Sequence, residues 1–370
     1  MNSSAIKLLL VVGARPNFMK MAPIIHEIHR RNAAGPSGCF DYQLLHTGQH
    51  YDQSMSSVFF DELGIPAPHF NLEVGSGSHA KLTARVMETF EPVCLRERPD
   101  WVIVVGDVNS TMACTLVCSK LGIKVAHVEA GLRSFDRTMP EEVNRIVTDA
   151  LADLLLTPSE DGDANLLREG VASERIRCVG NVMIDALISN LPRSRSSEAL
   201  QRLGLHPKEF AYVTLHRPSN VDHEATLRVL LDELSRVSEI VPVVFAMHPR
   251  TAKMCSQFEL LTRCSASLRV IEPVGYHDSL WLTECAAVVL TDSGGLQEES
   301  TWFRTPCLTL RPNTERPVTV TLGSNRLTTV TRMRDDVSDA LRDRNGRGRV
   351  PPLWDGFTSG RILDAIASAA

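Results

Sequence analysis

Asp107 and Glu129 end apolar runs in the first half of the chain, a third carboxylate, Glu141, follows the rigid Met139-Pro140, and His216 and His248 follow apolar runs in the second half. Carboxyl groups near one cleft can be driven to different pKa values and serve as separate acids and bases. The stretch Thr291-Asp292-Ser293-Gly294-Gly295 follows another apolar run and precedes a helix expected to start near Leu296. Backbone N–H groups at such a terminus, two of them on residues without Cβ, can approach a diphosphate closely. Arg15 follows the first apolar run and can grip a phosphate. Each feature also has a plainer explanation. Asp107 can cap a helix at Asn109 to Thr111, Ser293 can cap its own helix, and Glu298 and Glu299 can simply complement that helix's dipole. The histidines can be buried neutral rings, and Arg15 a surface side chain.

The elements that must position these residues are short runs rich in Val, Ile and Leu alternating with stretches of helical period. That is the pattern of a parallel sheet with crossover helices, an α/β fold. The expected strands are Lys7 to Val12, Tyr42 to His46, Trp101 to Gly106, Lys124 to Val128 and Leu154 to Thr157 in the first half. In the second they are Ala211 to Leu215, Pro242 to Met247, Leu268 to Ile271, Ala287 to Leu290 and Cys307 to Leu310. Ligands of such sheets bind beyond the carboxyl ends of the strands, which is where the polar residues fall in both halves. The first turn, Gly13-Ala14-Arg15-Pro16, lacks the later glycines of a dinucleotide fingerprint, which disfavours a nicotinamide cofactor. Pro16 suits the first turn of a helix.

At 370 residues the chain has room for roughly two to three domains. The polar stretch Asn190 to Ser197 is the expected linker, dividing 1–188 from 198–356, and a short amphipathic helix covers 359–370. With 39 basic against 44 acidic residues and a net charge of −5, no nucleic-acid footprint is visible. No apolar run approaches a membrane span, and no signal-peptide pattern opens the chain, so a cytoplasmic location is expected. Nine cysteines without a C-x-x-C pair fit buried thiols better than disulfides or a metal site.

Taken in order, the motifs form a pattern. Gly13-x-Arg15-Pro16-x3-Lys20, Thr47-Gly48-Gln49-His50, Gly106-Asp107 and His127-Val128-Glu129-Ala130-Gly131-Leu132-Arg133 come first. Pro140-Glu141-Glu142-x-Asn144-Arg145, Gly180-Asn181, Asp292-Ser293-Gly294-Gly295-x-Gln297-Glu298-Glu299 and Thr314-Glu315-Arg316-Pro317 follow. Together they resemble the non-hydrolysing UDP-N-acetylglucosamine 2-epimerases over roughly residues 7 to 320. The resemblance implies two doubly wound Rossmann-like domains facing a central cleft, the B-type glycosyltransferase fold, with the C-terminal helix returning to the first domain. It also implies a homodimer, a UDP-sugar substrate, and no cofactor or metal.

Family members eliminate UDP across carbons 1 and 2 of the sugar to give 2-acetamidoglucal, then add it back with the proton on the opposite face. By position, Asp107, Glu129 and Glu141 match the family's catalytic acids, with Asp107 and Glu129 the expected acid/base pair. Arg15, His216, Ser293, Gly294 and Gly295 would hold the diphosphate, Glu299 the ribose hydroxyls, and Tyr276 would help enclose uracil. Lys20, Arg133, Arg145 and Arg316 match positive positions lining the site, and His248 is a further candidate there. The segment Arg133-Ser134-Phe135-Asp136-Arg137-Thr138-Met139 looks more like relatives acting on UDP-2,3-diacetamido-glucuronic acid, whose carboxylate Arg137 can meet. Gln49-His50-Tyr51-Asp52 and Gly75 to Ser78 depart from the pattern of substrate-activated bacterial enzymes, so weak or absent activation by substrate is expected. A glycosyltransferase on the same fold and an inactive UDP-sugar-binding module are the alternatives. The former does not need several carboxylates, and the latter is disfavoured by the intact acidic set.

Overall fold

A computed structural model describes residues 5–35, 40–48, 63–260, 268–343 and 348–370, except the side chain of Arg15. The chain divides into two units, Met1–Ala186 with Pro352–Ala370, and Leu187–Pro351.

The first unit holds strands β1 (Ile6–Val12), β2 (Phe40–His46), β3 (Phe70–Asn71), β4 (Trp101–Val105), β5 (Lys124–Val128), β6 (Leu154–Thr157) and β7 (Ile176–Cys178). They form one sheet in the order β3-β2-β1-β4-β5-β6-β7, with all pairs parallel. Both faces of the central strands are buried, so their sequences read as continuous apolar runs rather than alternations. Leu9, Val11, Val102, Val104 and Val125 pack against Val86, Phe90, Cys94, Cys114 and Cys118 from the helices His79–Glu97 and Asn109–Leu121. Each such buried aliphatic side chain stabilises the fold by about 1.5–3 kcal/mol, and the thiols serve here as small apolar groups.

Pro352–Ala370 completes this unit. The carboxylate of Asp185 accepts hydrogen bonds from Thr358 N (3.1 Å), Ser359 N (2.7 Å) and Ser359 Oγ (2.8 Å), satisfying the N-terminus of the helix Thr358–Ala369. Trp354 Nε1 donates to Pro158 O at 3.0 Å. Gly180, at φ +92°, lets the carbonyl of Leu353 approach to 2.2 Å from where a Cβ would stand.

The second unit holds β8 (Ala211–Thr214), β9 (Val243–Ala246), β10 (Leu268–Ile271), β11 (Val288–Thr291), β12 (Cys307–Leu310) and β13 (Asn325–Thr328). The order is β10-β9-β8-β11-β12-β13, again all parallel. The apolar stripe Leu227, Leu230, Leu231, Leu234 and Val237 of the helix Glu224–Val237 packs with Val213, Val243, Phe245 and Leu290. Among the described residues no helix is long and apolar enough to cross a membrane.

Three expectations change. Asn190 to Ser197 is not an extended linker: the helix Val182–Arg195 runs through most of it. Its polar residues largely cover an exposed face, while Ser194 is buried and donates to His277 O at 3.0 Å. The helix after β11 spans Gly294–Phe303, beginning before Leu296. Strands β3, β7 and β13 join the ten that the apolar runs indicate.

Candidate active site

In the first unit, register sets the geometry. Val105 of β4 lies opposite Val128 of β5, so the turns that follow, at Gly106-Asp107 and Glu129, emerge side by side, and Gly106 N donates to Val128 O at 3.0 Å. Glu129 is 5% exposed and adopts φ +70°, a conformation that costs a non-glycine residue of order 1–3 kcal/mol. Its Oε2 accepts from Lys20 Nζ at 2.5 Å, and Lys20 comes from the helix Arg15–Ala34 that follows β1. Its Oε1 is buried without a hydrogen-bond partner among the described residues. A buried carboxylate with one oxygen held by a cation and the other open is suited to exchanging a proton. Gly106 is required here. Its φ is +68°, and a Cβ would stand 3.1 Å from Lys20 Nζ and 3.8 Å from Glu129 Oε2.

Asp107 is partly exposed, and its Oδ2 accepts from Arg145 Nη2 at 2.6 Å. Arg145 is itself held by Glu142 Oε2 at 2.6 Å through Nη1. Glu142 also accepts from Ser134 N (2.9 Å) and Phe135 N (2.8 Å), which anchors the loop leading into the helix Pro140–Leu151. Asn144 Nδ2 donates to Asp107 O at 2.9 Å. The helix Asn109–Leu121 has Val108, not Asp107, at its N-cap. Glu141 is half-buried in the first turn of Pro140–Leu151, and among the described residues its carboxylate has no partner. Arg133 is placed elsewhere. At 2% exposure, its guanidinium is bound by Glu169 (2.8 and 2.7 Å) and Asp149 (2.7 Å), so it supports the fold beneath the site instead of lining it. Arg15 opens its helix, but its side chain lies outside the described residues, as do Gln49, His50, Tyr51 and Asp52.

In the second unit, Asp292 follows β11 and is fully buried. It accepts from His216 N (3.0 Å to each oxygen), Arg217 N (2.9 Å) and Asn220 Nδ2 (2.9 Å), and lies 3.1 Å from His216 Nδ1. Burial pushes its carboxyl up, but these bonds, that of the His216 ring first, outweigh burial and hold it below the usual range. The ring of His216 is thereby oriented with Nε2 turned away from Asp292. His248 sits with its ring 5.1 Å from that of His216 and caps the helix Pro249–Gln257, its Nδ1 accepting from Arg250 N at 3.1 Å. Burial and the neighbouring His216 push its pKa down.

Ser293 occupies the N-cap of Gly294–Phe303, but its side chain makes no cap bond, leaving the first N–H groups of the helix to another acceptor. Arg316 lies against this terminus. A Cβ on Gly294 would stand 2.6 Å from its Nη1, whereas one on Gly295 would meet nothing within 4 Å. A cation at the positive end of a helix is unfavourable by itself. Arg316 is kept there by Glu298 Oε1 (2.7 Å to Nε) and Glu315 Oε1 (2.7 Å to Nη1). The assembly of glycine amides, guanidinium and oriented imidazole is suited to a diphosphate.

Deeper along the same helix, Glu299 is buried, and desolvation followed by the proximity of Glu298 pushes its carboxyl up to about 8. The Tyr276 hydroxyl is buried without a hydrogen-bond partner among the described residues, and burial, then Glu299, raises its pKa well above the usual value.

Sequence reasoning passed over the holding residues: Asp292, Glu298, Glu315, Glu142 and Asn144. All lie inside or beside the motifs already singled out, next to the glycines, histidine and arginines that they fix.

The model of the UDP-N-acetylglucosamine 2-epimerase family matches residues 33–367. A UDP-N-acetylglucosamine 2-epimerase of Methanocaldococcus jannaschii is 42% identical over 328 residues, 87% of this chain and 88% of that protein. A UDP-2,3-diacetamido-2,3-dideoxy-D-glucuronate 2-epimerase of Pseudomonas aeruginosa is 38% identical over 345 residues, 92% of this chain and 93% of that one. The crystal structure of the M. jannaschii enzyme in complex with UDP-GlcNAc and UDP superposes with a TM-score of 0.87 at 39% identity, covering 98% of this chain and 100% of that one. The strand order, the placed motifs and these likenesses agree: the chain belongs to the UDP-N-acetylglucosamine 2-epimerase family.

Proposed function

We propose that the chain interconverts UDP-N-acetylglucosamine and UDP-N-acetylmannosamine by eliminating UDP and adding it back. The observation that carries this is the pair of adjoining turns bearing Glu129 against Lys20 and Asp107 against Arg145. A binding module has no use for two carboxylates so held. The sugar's C-2 hydrogen has no neighbouring carbonyl to acidify it, so direct abstraction is prohibitively slow. Breaking the bond from C-1 to the diphosphate oxygen makes C-1 cation-like and C-2 more acidic. One carboxylate takes the C-2 proton as the double bond forms; the other, having taken up a proton from solvent, delivers it to the opposite face of C-2 as UDP adds to C-1. His216, Arg316 and the amides of Gly294 and Gly295 take the charge of the departing diphosphate, and Glu299 accepts from the ribose hydroxyls. Glu141 is the third acid, in a supporting role.

The test is incubation with UDP-N-acetylglucosamine in deuterated water, followed by NMR. Epimerisation places deuterium at C-2. Epimer formation with protium retained there overturns the elimination route, and no epimer at all overturns this substrate. UDP-2,3-diacetamido-glucuronate is a second substrate to try, because Arg137 is exposed and has no partner among the described residues and the Pseudomonas relative bears that name. We further propose a cytoplasmic homodimer without substrate activation. A monomer in sedimentation, or sigmoidal kinetics, removes the corresponding part.

A further inference from the structure

We infer that His127 is a positioning residue, a doubly protonated clasp joining the two acid-bearing turns, and that Asp149 keeps it in that state. The inference rests on Asp107 and Glu129 being the proton-transferring groups proposed above. His127 lies on β5, two residues before Glu129, and is fully buried. Its Nε2 is 2.9 Å from the carbonyl oxygen of Gly106, the residue before Asp107. Its Nδ1 is 2.6 Å from Asp149 Oδ1. A carbonyl oxygen can only accept. A carboxylate can only accept as well, and that of Asp149 is held ionised against the opposing effect of burial by His127 and Arg133. Both ring nitrogens therefore face acceptors, and each must carry hydrogen.

The charge this places in the core is balanced. His127 and Arg133 oppose Asp149 and Glu169, joined through Arg133 Nη1 to Asp149 Oδ2 at 2.7 Å and through the fork to Glu169. Buried charges persist when paired and hydrogen-bonded in this way. Asp149 Oδ2 also accepts from Gly131 N at 3.0 Å. The same carboxylate thus holds the chain just after Glu129, while the ring that it orients holds the chain just before Asp107. These bonds reach the backbone of the two turns, at Gly106 and Gly131, so the clasp acts on where the carboxylates stand and leaves nucleotide binding, a property of the other unit, alone.

The experiment records 15N NMR of histidine-labelled protein and measures turnover and UDP affinity for the wild type and Asp149→Asn. The amide keeps the shape, but its NH2 can face Nδ1, which then accepts and loses its hydrogen while Nε2 keeps the bond to Gly106. Expected are hydrogen on both ring nitrogens in the wild type and on Nε2 alone in the variant. The variant's kcat should fall on the order of a hundredfold, as for a catalytic group displaced by about an ångström, with KM and UDP affinity unchanged. A bare ring nitrogen in the wild type, wild-type kcat in the variant, or loss of UDP affinity in step with kcat overturns the clasp. If the variant fails to fold, the wild-type ring signal still decides. Failure of the underlying mechanism is separately visible, since a fully active Asp107→Asn would overturn it without changing the ring's nitrogens.

Discussion

The two units share a strand order, with the first strand of each beside the fourth, and each takes its polar residues from beyond the first, fourth and fifth strands in sequence. In the first unit these are Lys20, Asp107 and Glu129; in the second, His216, the Asp292 to Gly295 turn and Arg316. What differs is the sign of the working group. Beyond the first sheet the carboxylates are held by cations, Glu129 by Lys20 and Asp107 by Arg145. Beyond the second sheet carboxylates do the holding, Glu298 and Glu315 of the Arg316 guanidinium and Asp292 of the His216 ring. The fold determines where chemistry can gather. On the function proposed above, the turn residues decide whether a sheet edge exchanges protons or holds an anion.

The sharpest way to break the comparison is to remove one working group from each unit. Asp107→Asn should lower kcat by about 10²–10⁴ and leave UDP affinity unchanged by calorimetry. Full activity would take Asp107 out of the mechanism. His216→Ala should instead weaken UDP by roughly tenfold or more, the value of one charge-assisted hydrogen bond, and unchanged affinity would deny the ring its phosphate role. Gly294→Ala tests the helix terminus. The added Cβ would stand 2.6 Å from Arg316 Nη1, so either the guanidinium leaves its two carboxylates or the turn moves. UDP affinity should fall by an amount similar to the His216 variant, and thermal stability should fall with it, because the ion pairs disturbed are buried.

How much of this the sequence disclosed follows from the range of the forces involved. Strands buried on both faces announce themselves as apolar runs, and so β1, β4, β5, β8 and β11 were legible along with the polar residues ending them. β3, β7 and β13 were not. Phe70-Asn71 and Ile176-Arg177-Cys178 are too short to form a run, and Asn325-Arg326-Leu327-Thr328, at a sheet edge, has a single apolar residue. Asn190 to Ser197 misled because an exposed helix face has the composition of a linker. At the site, the working residues stood out, but what holds them did not. Lys20 and Glu129 are 109 residues apart, and no local spacing predicts that pair. Arg133 sits in a motif that points to the site, yet the carboxylates that claim it, Asp149 and Glu169, come from later helices and turns. Asp292 was in view but overshadowed by the glycines after it.

The smallest effect expected concerns Glu299, a buried acid of the second unit that makes no ion pair among the described residues. Glu299, with its pKa near 8, carries a proton in the free protein at neutral pH. If it accepts from the ribose hydroxyls, those donors favour the ionised form and lower the pKa in the complex. A group whose pKa falls on binding releases its proton between the bound and free values. By linkage, UDP affinity should rise with pH through neutrality and level off above about 8, by at most tenfold per unit. Calorimetry at neutral pH in buffers of different ionisation enthalpy would count the proton released, and Glu299→Gln should abolish the count along with that part of the pH dependence. No release in the wild type would mean that Glu299 binds as the neutral acid, donating to the ligand. The sign rule separating the two units would then need an exception at the ribose.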